Sequence, residues 1–204
     1  MIYGVMITYN DYPLIKKSIG SIYDICDQIV CVDGRYIDYP LGPMDSNDGT
    51  LEYLESLDKV HLINAPGLTE IEKRNQYLVA TNDDWYLHLD ADEEWVGPAP
   101  VIDPEVDAYI IDFHRPYPIR KMDRVRLFKH VEGLHYAKKH YWLHDEQGVT
   151  FALLQQVGSA YRGARLEGVH IDHHELERSP ERQRDRKIYY NVLSRRENQI
   201  EESL

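Results

Sequence analysis

Four short apolar runs, each divided from the next by a segment of helical character, dominate the first ninety-five residues. IYGVMITY (2–9), QIVCVD (28–33), KVHLINA (59–65) and WYLHL (85–89) read as strands. The first is apolar throughout, as in a parallel strand covered on both faces. Between them, Pro13 opens a helix running through about Ile25. SNDGTLEYLESL begins with cap-type residues and continues as an amphipathic helix. TEIEKRNQYLVAT (69–81) carries Thr69 and Glu72 at capping-box spacing. A βαβαβαβ order of this kind demands a doubly wound, mostly parallel sheet with right-handed crossovers.

After residue 97 the pattern changes. GPAPVIDP is a turn-rich connector. VDAYIIDF (106–113), RVRLFK (124–129), LHYAKKHYWL (134–143) and VHIDHHE (169–175) read as further strands. RSPERQRDRKIYYNVLSRRENQIEE (178–202) reads as a long polar helix with a thin apolar stripe of Ile188, Val192, Leu193 and Ile200. The expected organisation is one α/β catalytic domain over 1–177, divided into 1–97 and 98–177, followed by a helix over 178–204. That helix is expected to pack on its own sheet or to form a homodimer, its narrow stripe arguing against a membrane surface.

Ligands of open α/β sheets bind beyond the carboxyl ends of the strands. Thr8-Tyr9-Asn10, Asp33-Gly34 and Asp90-Ala91-Asp92 stand at those ends. In WYLHLDADEEW (85–95) a strand runs straight into Asp90, Asp92, Glu93 and Glu94, carboxylates that repel one another without a cation. Such a rim suits Mg²⁺ or Mn²⁺, ions that also hold substrate phosphates.

Composition narrows the partners. A net charge of −12 argues against general affinity for nucleic acid or anionic membranes. Residues 115–139 nevertheless carry eight Lys/Arg against Asp123 and Glu132, enough to meet a phosphate. Tyr is abundant, at 16 against 3 Phe. It serves either as a half-buried sheet residue or as a platform for a base or sugar. Cys26 and Cys31 lie in an apolar segment and read as reduced core thiols of a cytoplasmic protein. No signal pattern and no membrane-length apolar run is visible.

The run ITYN…IVCVDG…SNDGTLEYL…KRNQYLVATNDDWYLHLDADEEW resembles the nucleotide-binding half of a family 2 glycosyltransferase with the GT-A (Rossmann-like) fold. The likeness covers residues 2–95 and continues more loosely through RLFKHVEGLHY (126–136) and VHIDHHE (169–175). It implies a hexosyltransferase-type enzyme moving a sugar from a nucleotide diphosphate, by family habit UDP, with Mn²⁺ or Mg²⁺. The acceptor is then a hydroxyl on a protein, a glycan or a modified base.

Position by position, the resemblance implies that Thr8 and Asp33 line the base and ribose pocket, with Tyr9 and Ala91 on the same rim. Arg74 lies beneath the nucleotide. Asp90 meets the ribose or the metal's water shell, and Asp92 ligates the metal. His173 completes that metal site, with His170 and His174 as competitors. Alternation puts His170 and His174 on one strand face and His173 on the other. RYIDYPLGPMD enlarges a loop that is usually short, so Asp48 competes with Asp33, which is preferred because it ends its strand. Asp145 of His144-Asp145 is the expected acceptor-side base, with Glu146 as alternate. Lys121, Arg124 and Lys138 are phosphate candidates, and inversion at the anomeric carbon is expected.

Two other classes compete. A nucleotidyltransferase wants a Gly-rich basic loop after the first strand, which ITYNDYPL lacks. A non-catalytic sugar- or nucleotide-binding module needs no DxD, Arg74 or late histidine.

Overall fold

A computed structural model describes residues 1–37, 39–40, 42–79, 85–116, 119–137, 143–146 and 161–201, with backbone only at 119–123 and 193–201. The first half follows the expected alternation: β1 (Ile2–Ile7), α1 (Leu14–Ile22), β2 (Gln28–Asp33), α2 (Thr50–Glu55), β3 (Val60–Asn64), α3 (Glu70–Val79) and β4 (Trp85–His88). β5 (Glu93–Val96), β6 (Ala108–Pro116), β7 (Ile119–Lys129), β8 (His135–Tyr136), β9 (Leu143–His144), β10 (Gly163–His173) and α4 (Pro180–Glu201) follow.

Eight strands form one sheet in the order β3-β2-β1-β4-β7-β6-β10-β5, and β8 and β9 form a separate pair. β1 lies parallel between β2 and β4. The chain winds outward from β1 to β3, then returns to place β4 on the other side of β1. That reversal is the topological switch point, where a crevice opens between strand ends. This is the α/β, GT-A-like architecture expected from the sequence. Beyond β4 the sheet becomes mixed, through antiparallel β4–β7, β6–β7 and β10–β5 pairings.

The alternation of β1 divides the core. Met6 packs on one face with Ile15, Ile19 and Ile22 of α1 and Leu54 of α2. Val5 and Ile7 face the other side, with Tyr77 and Leu78 of α3 and Tyr189 of α4. Both faces of the parallel half are therefore covered, as its continuous apolar strands require.

Local rules set several element ends. The Thr69–Glu72 capping box forms as expected: Thr69 N–H donates to Glu72 Oε2 at 2.8 Å, and Glu72 N–H donates to Thr69 Oγ1 at 3.2 Å. α1 stops at Ile22, short of the expected Ile25. Gly34 turns the chain away from β2 at φ +118°, and a Cβ there would meet Pro66 N at 2.7 Å.

Three expectations need correction. β5 follows the acidic turn at once, in a stretch not expected to be a strand. LHYAKKHYWL is not described as one strand: β8 and β9 account for two residues each, and 138–142 fall outside the description. Ile188, the first residue of the expected stripe of α4, does not lie on the buried face. Ile188 is 42% exposed, while Tyr189 and Arg182 are buried.

Candidate functional site

The acidic turn closes through its own residues. Asp90 N–H donates to Glu93 Oε2 at 2.8 Å, and Glu93 N–H donates to Asp90 O at 2.9 Å. Glu93 begins β5, whose antiparallel register places it opposite His173 of β10. His174 N–H then donates to Asp92 O at 2.8 Å. Register thus brings the DxD turn and the end of β10 together although some eighty residues separate them.

The outcome for the three histidines is specific. His173 Nε2 lies 2.9 Å from Asp92 Oδ2. His174 turns to the other face, toward Glu94 at 2.8 Å and Glu177 at 2.7 Å. His170 shares that outer face and lies beside His114 and Asp172.

The four clustered acids are relieved by protein cations. Arg74 of α3 meets Asp90 Oδ1 at 3.0 Å and Glu70 at 3.1 Å, and it also contacts His88. Arg126 of β7 meets Glu93 Oε1 at 2.5 Å and Asp90 Oδ2 at 3.7 Å. Arg178, just before α4, lies 2.5 Å from Asp92 Oδ2. Glu94 pairs with His174 on the outer face.

Protonation follows from this packing. Burial opposes ionisation of Asp92, but Arg178 and His173 overcome it and hold the carboxyl at about 2. Asp90 is likewise held well below the carboxylate range, against its burial, chiefly by Arg74. Burial raises Glu93 to about 7 despite Arg126. Burial, then Arg126 and Arg74, lowers His88 to about 3, so it stays neutral among its arginines.

Asp92 and His173 suit a divalent ion. Their 2.9 Å separation is close to the ~3 Å between adjacent ligands of an octahedral ion with bonds of about 2.1 Å. One carboxylate and one imidazole would leave positions for water and phosphate oxygens. Arg178 competes for the same Asp92 oxygen.

The other anticipated residues are placed as follows. Thr8 is fully buried, its hydroxyl 3.3 Å from Asp11 Oδ2. Tyr9 donates to Pro43 O at 2.8 Å, its ring edge-on to Tyr39. Both oxygens of Asp33 accept from Ser46, from Oγ at 2.6 Å and from N–H at 3.2 Å. Asp48 accepts from Thr50 Oγ1 at 2.6 Å and from Thr50 N–H at 3.1 Å at the start of α2, and it also accepts Tyr12 N–H at 2.9 Å. Ala91 is buried within the turn.

Asp145 is buried and accepts from Tyr161 O–H at 2.5 Å. Neither Asp145 nor Glu146 lines the cavities that Arg178 borders. Arg124 does. Lys121 is described by its backbone alone, and Lys138 lies outside the described residues.

The contribution of α4 was not anticipated. Arg182 and Arg186 stand four residues apart on one face of α4, and Arg178 precedes the helix in extended backbone. Arg182 meets Asp11 Oδ1 at 3.2 Å and Tyr39 O–H at 2.5 Å, and it lies over the Tyr9 and Tyr39 rings. Arg186 donates to Tyr190 O–H at 3.0 Å. The spacing was visible in the sequence, but its acidic counterparts, Asp11 and Asp92, were not identifiable there.

Two cavities flank this arginine row. One of about 650 Å³ lies beside β1, with Tyr9, Tyr12, Tyr39 and Asp48 on its wall. The other, about 630 Å³, is lined by Asp90, Glu93, His173 and Glu175 with Arg115, Arg124 and Arg126. Arg178 borders both.

No known family profile matches the chain, and no curated protein matches it by sequence. Similarity appears among solved structures. S. aureus TarS 1–349 in complex with UDP aligns with a TM-score of 0.47 and 20% identity, over 58% of this chain and 37% of that one. TarS 1–349 in complex with UDP-GlcNAc gives a TM-score of 0.42 and 16% identity, over 57% and 35%. S. aureus TarS itself gives 0.42 and 20%, over 57% and 22%. The chain therefore spans well under half the length of these structures.

Proposed function

We propose that the chain is a metal-dependent glycosyltransferase of the family 2, GT-A type, taking a sugar from a nucleotide diphosphate, with UDP as the favoured nucleotide. The observation that carries this reading is the meeting of Asp90, Asp92 and His173 at the switch point of a doubly wound sheet, with two cavities alongside. Ligands of such sheets bind at that point, and a carboxylate–imidazole pair with open positions suits Mn²⁺ or Mg²⁺ together with phosphates.

On this reading the nucleoside enters the tyrosine-walled cavity, where the exposed Tyr12 ring offers an aromatic face. The diphosphate spans the arginine row, and the sugar reaches the second cavity. Asp92 and His173 would hold the ion, which when bound would neutralise charge on the departing diphosphate. Arg178 exchanges Asp92 for a phosphate oxygen as donor arrives, and Arg124 and Arg126 add to the field around the leaving group. Arg74 and Glu93 keep the turn in shape, Arg74 through Asp90 and Glu93 through the Asp90 amide.

The reaction is displacement at the anomeric carbon, with inversion as the expected outcome. The acceptor hydroxyl gives its proton to a carboxylate. Glu93 and Glu175 stand on the cavity wall. Asp145, the residue implied by the resemblance, stands at the end of β9.

Calorimetric binding of UDP with and without Mn²⁺ tests the donor site. We expect Mn²⁺ to tighten UDP binding roughly tenfold or more in wild type and to have no such effect in Asp92→Asn. Absence of UDP binding in both conditions would rule out this donor site.

A further inference from the structure

We propose that the outer face of β10 holds a second divalent-cation site, of the zinc class, formed by His114 Nδ1, His170 Nε2 and Asp172 Oδ1 and separate from the Asp92–His173 site on the opposite face. The sequence VHIDHHE supplies more histidine than the first site uses, and strand alternation explains how it is divided. His173 points to Asp92, while His170 and Asp172 face outward. The parallel register of β6 and β10 places His114 directly beside Asp172.

Asp172 Oδ1 lies 3.4 Å from His114 Nδ1 and 3.5 Å from His170 Nε2. Both separations exceed the usual 2.7–3.2 Å of an N–H···O hydrogen bond. They match the ~3.3–3.6 Å edge of a tetrahedron whose bonds are about 2.0–2.2 Å, as in zinc sites. Each of the three residues offers a ligand atom within 4.8 Å of one from each of the others. The two imidazoles are stacked, with centroids 4.3 Å apart and planes 24° from parallel. Aiming both lone pairs at one ion needs one ring to turn about its last torsion, which is a soft one for histidine.

The neighbouring His174 is a useful contrast. Both its ring nitrogens already meet carboxylates at hydrogen-bond distance, Glu94 at 2.8 Å and Glu177 at 2.7 Å. The His114–His170–Asp172 side chains are 31%, 31% and 41% exposed, so an ion has a path in and a solvent molecule can take the fourth position. Two imidazoles and one carboxylate favour Zn²⁺ and its neighbours over Mg²⁺ or Ca²⁺. A bound ion would clamp β6 to β10 near the end of the strand that carries His173.

Cobalt tests this directly, because four-coordinate Co²⁺ absorbs strongly in visible light and six-coordinate Co²⁺ only weakly. Titrating the whole chain with Co²⁺ should give a saturable, intense band that Zn²⁺ abolishes. His114→Ala and His170→Ala should each weaken that binding at least about tenfold, while Asp92→Asn keeps it. Zn²⁺ should also raise the melting temperature of wild type and not of His170→Ala. No intense band in wild type, a band that survives both histidine substitutions, or one lost only in Asp92→Asn would overturn the proposal. None of these readouts depends on sugar transfer, so failure here leaves the donor-site reading untouched.

Discussion

Arg178 places its guanidinium 2.5 Å from the Asp92 oxygen that also faces His173. One carboxylate oxygen therefore has two competing cationic partners: the arginine in the free chain and, on our reading, a divalent ion in the loaded one. Arg178→Ala removes the competitor and the phosphate contact together. Without nucleotide, Mn²⁺ measured by electron paramagnetic resonance should bind more tightly than to wild type. With a sugar nucleotide, release of UDP should slow by roughly 10- to 100-fold, the value of a lost charge-assisted hydrogen bond.

The histidines should divide cleanly. His173→Ala should weaken Mn²⁺ binding by at least about tenfold. His174→Ala, whose ring faces Glu94 and Glu177, should change it by less than about twofold. Equal effects from the two substitutions would mean that the strand face has been misassigned.

The Asp92 carboxyl also predicts a pH dependence. Its folded value, about 2, lies below the ordinary 3.8. The ionised group therefore stabilises the fold above pH 3.8, and that contribution is lost as pH falls through about 2. A shift of this size is worth about 2 kcal/mol. Urea unfolding across the acid range should show this loss in wild type. Asp92→Asn should be less stable at neutral pH and flatter between pH 4 and pH 2, roughly the window of the titration.

Arg182 is a buried anchor of α4, paired with Asp11. Arg182→Ala leaves Asp11 buried without its partner and should cost about 3–5 kcal/mol by urea unfolding. Ile188→Ala, at a side chain 42% exposed, should fall within about 0.5 kcal/mol of wild type.

Much of this arrangement was legible in the sequence. Hydrophobic periodicity set out the alternating elements, and the rule for ligand positions pointed to the strand ends, where Asp90 borders a cavity while Thr8 and Asp33 are fully buried. Period-two alternation alone divided His173 from His170 and His174. Other features were hidden because they depend on tertiary pairing. Nothing near Arg182 in sequence announces Asp11, 171 positions away. Arg182 and Tyr189 are buried on α4 while Ile188 of the aliphatic stripe is exposed, so apolar periodicity did not point to them. Ser46 directly follows the inserted loop, and only the folded loop places it over both oxygens of Asp33. Asp145 is engaged by Tyr161, a partner that no motif connects to it.

The measurement that tests the central claim most directly is nucleotide release from a panel of sugar nucleotides, with Mn²⁺, with Mg²⁺ and with chelator, comparing wild type and Asp92→Ala. We predict slow metal-dependent release from one donor, a UDP-sugar, with water substituting for the acceptor, and loss of that release in Asp92→Ala. Release from no donor, or release indifferent both to chelator and to Asp92→Ala, would contradict the account.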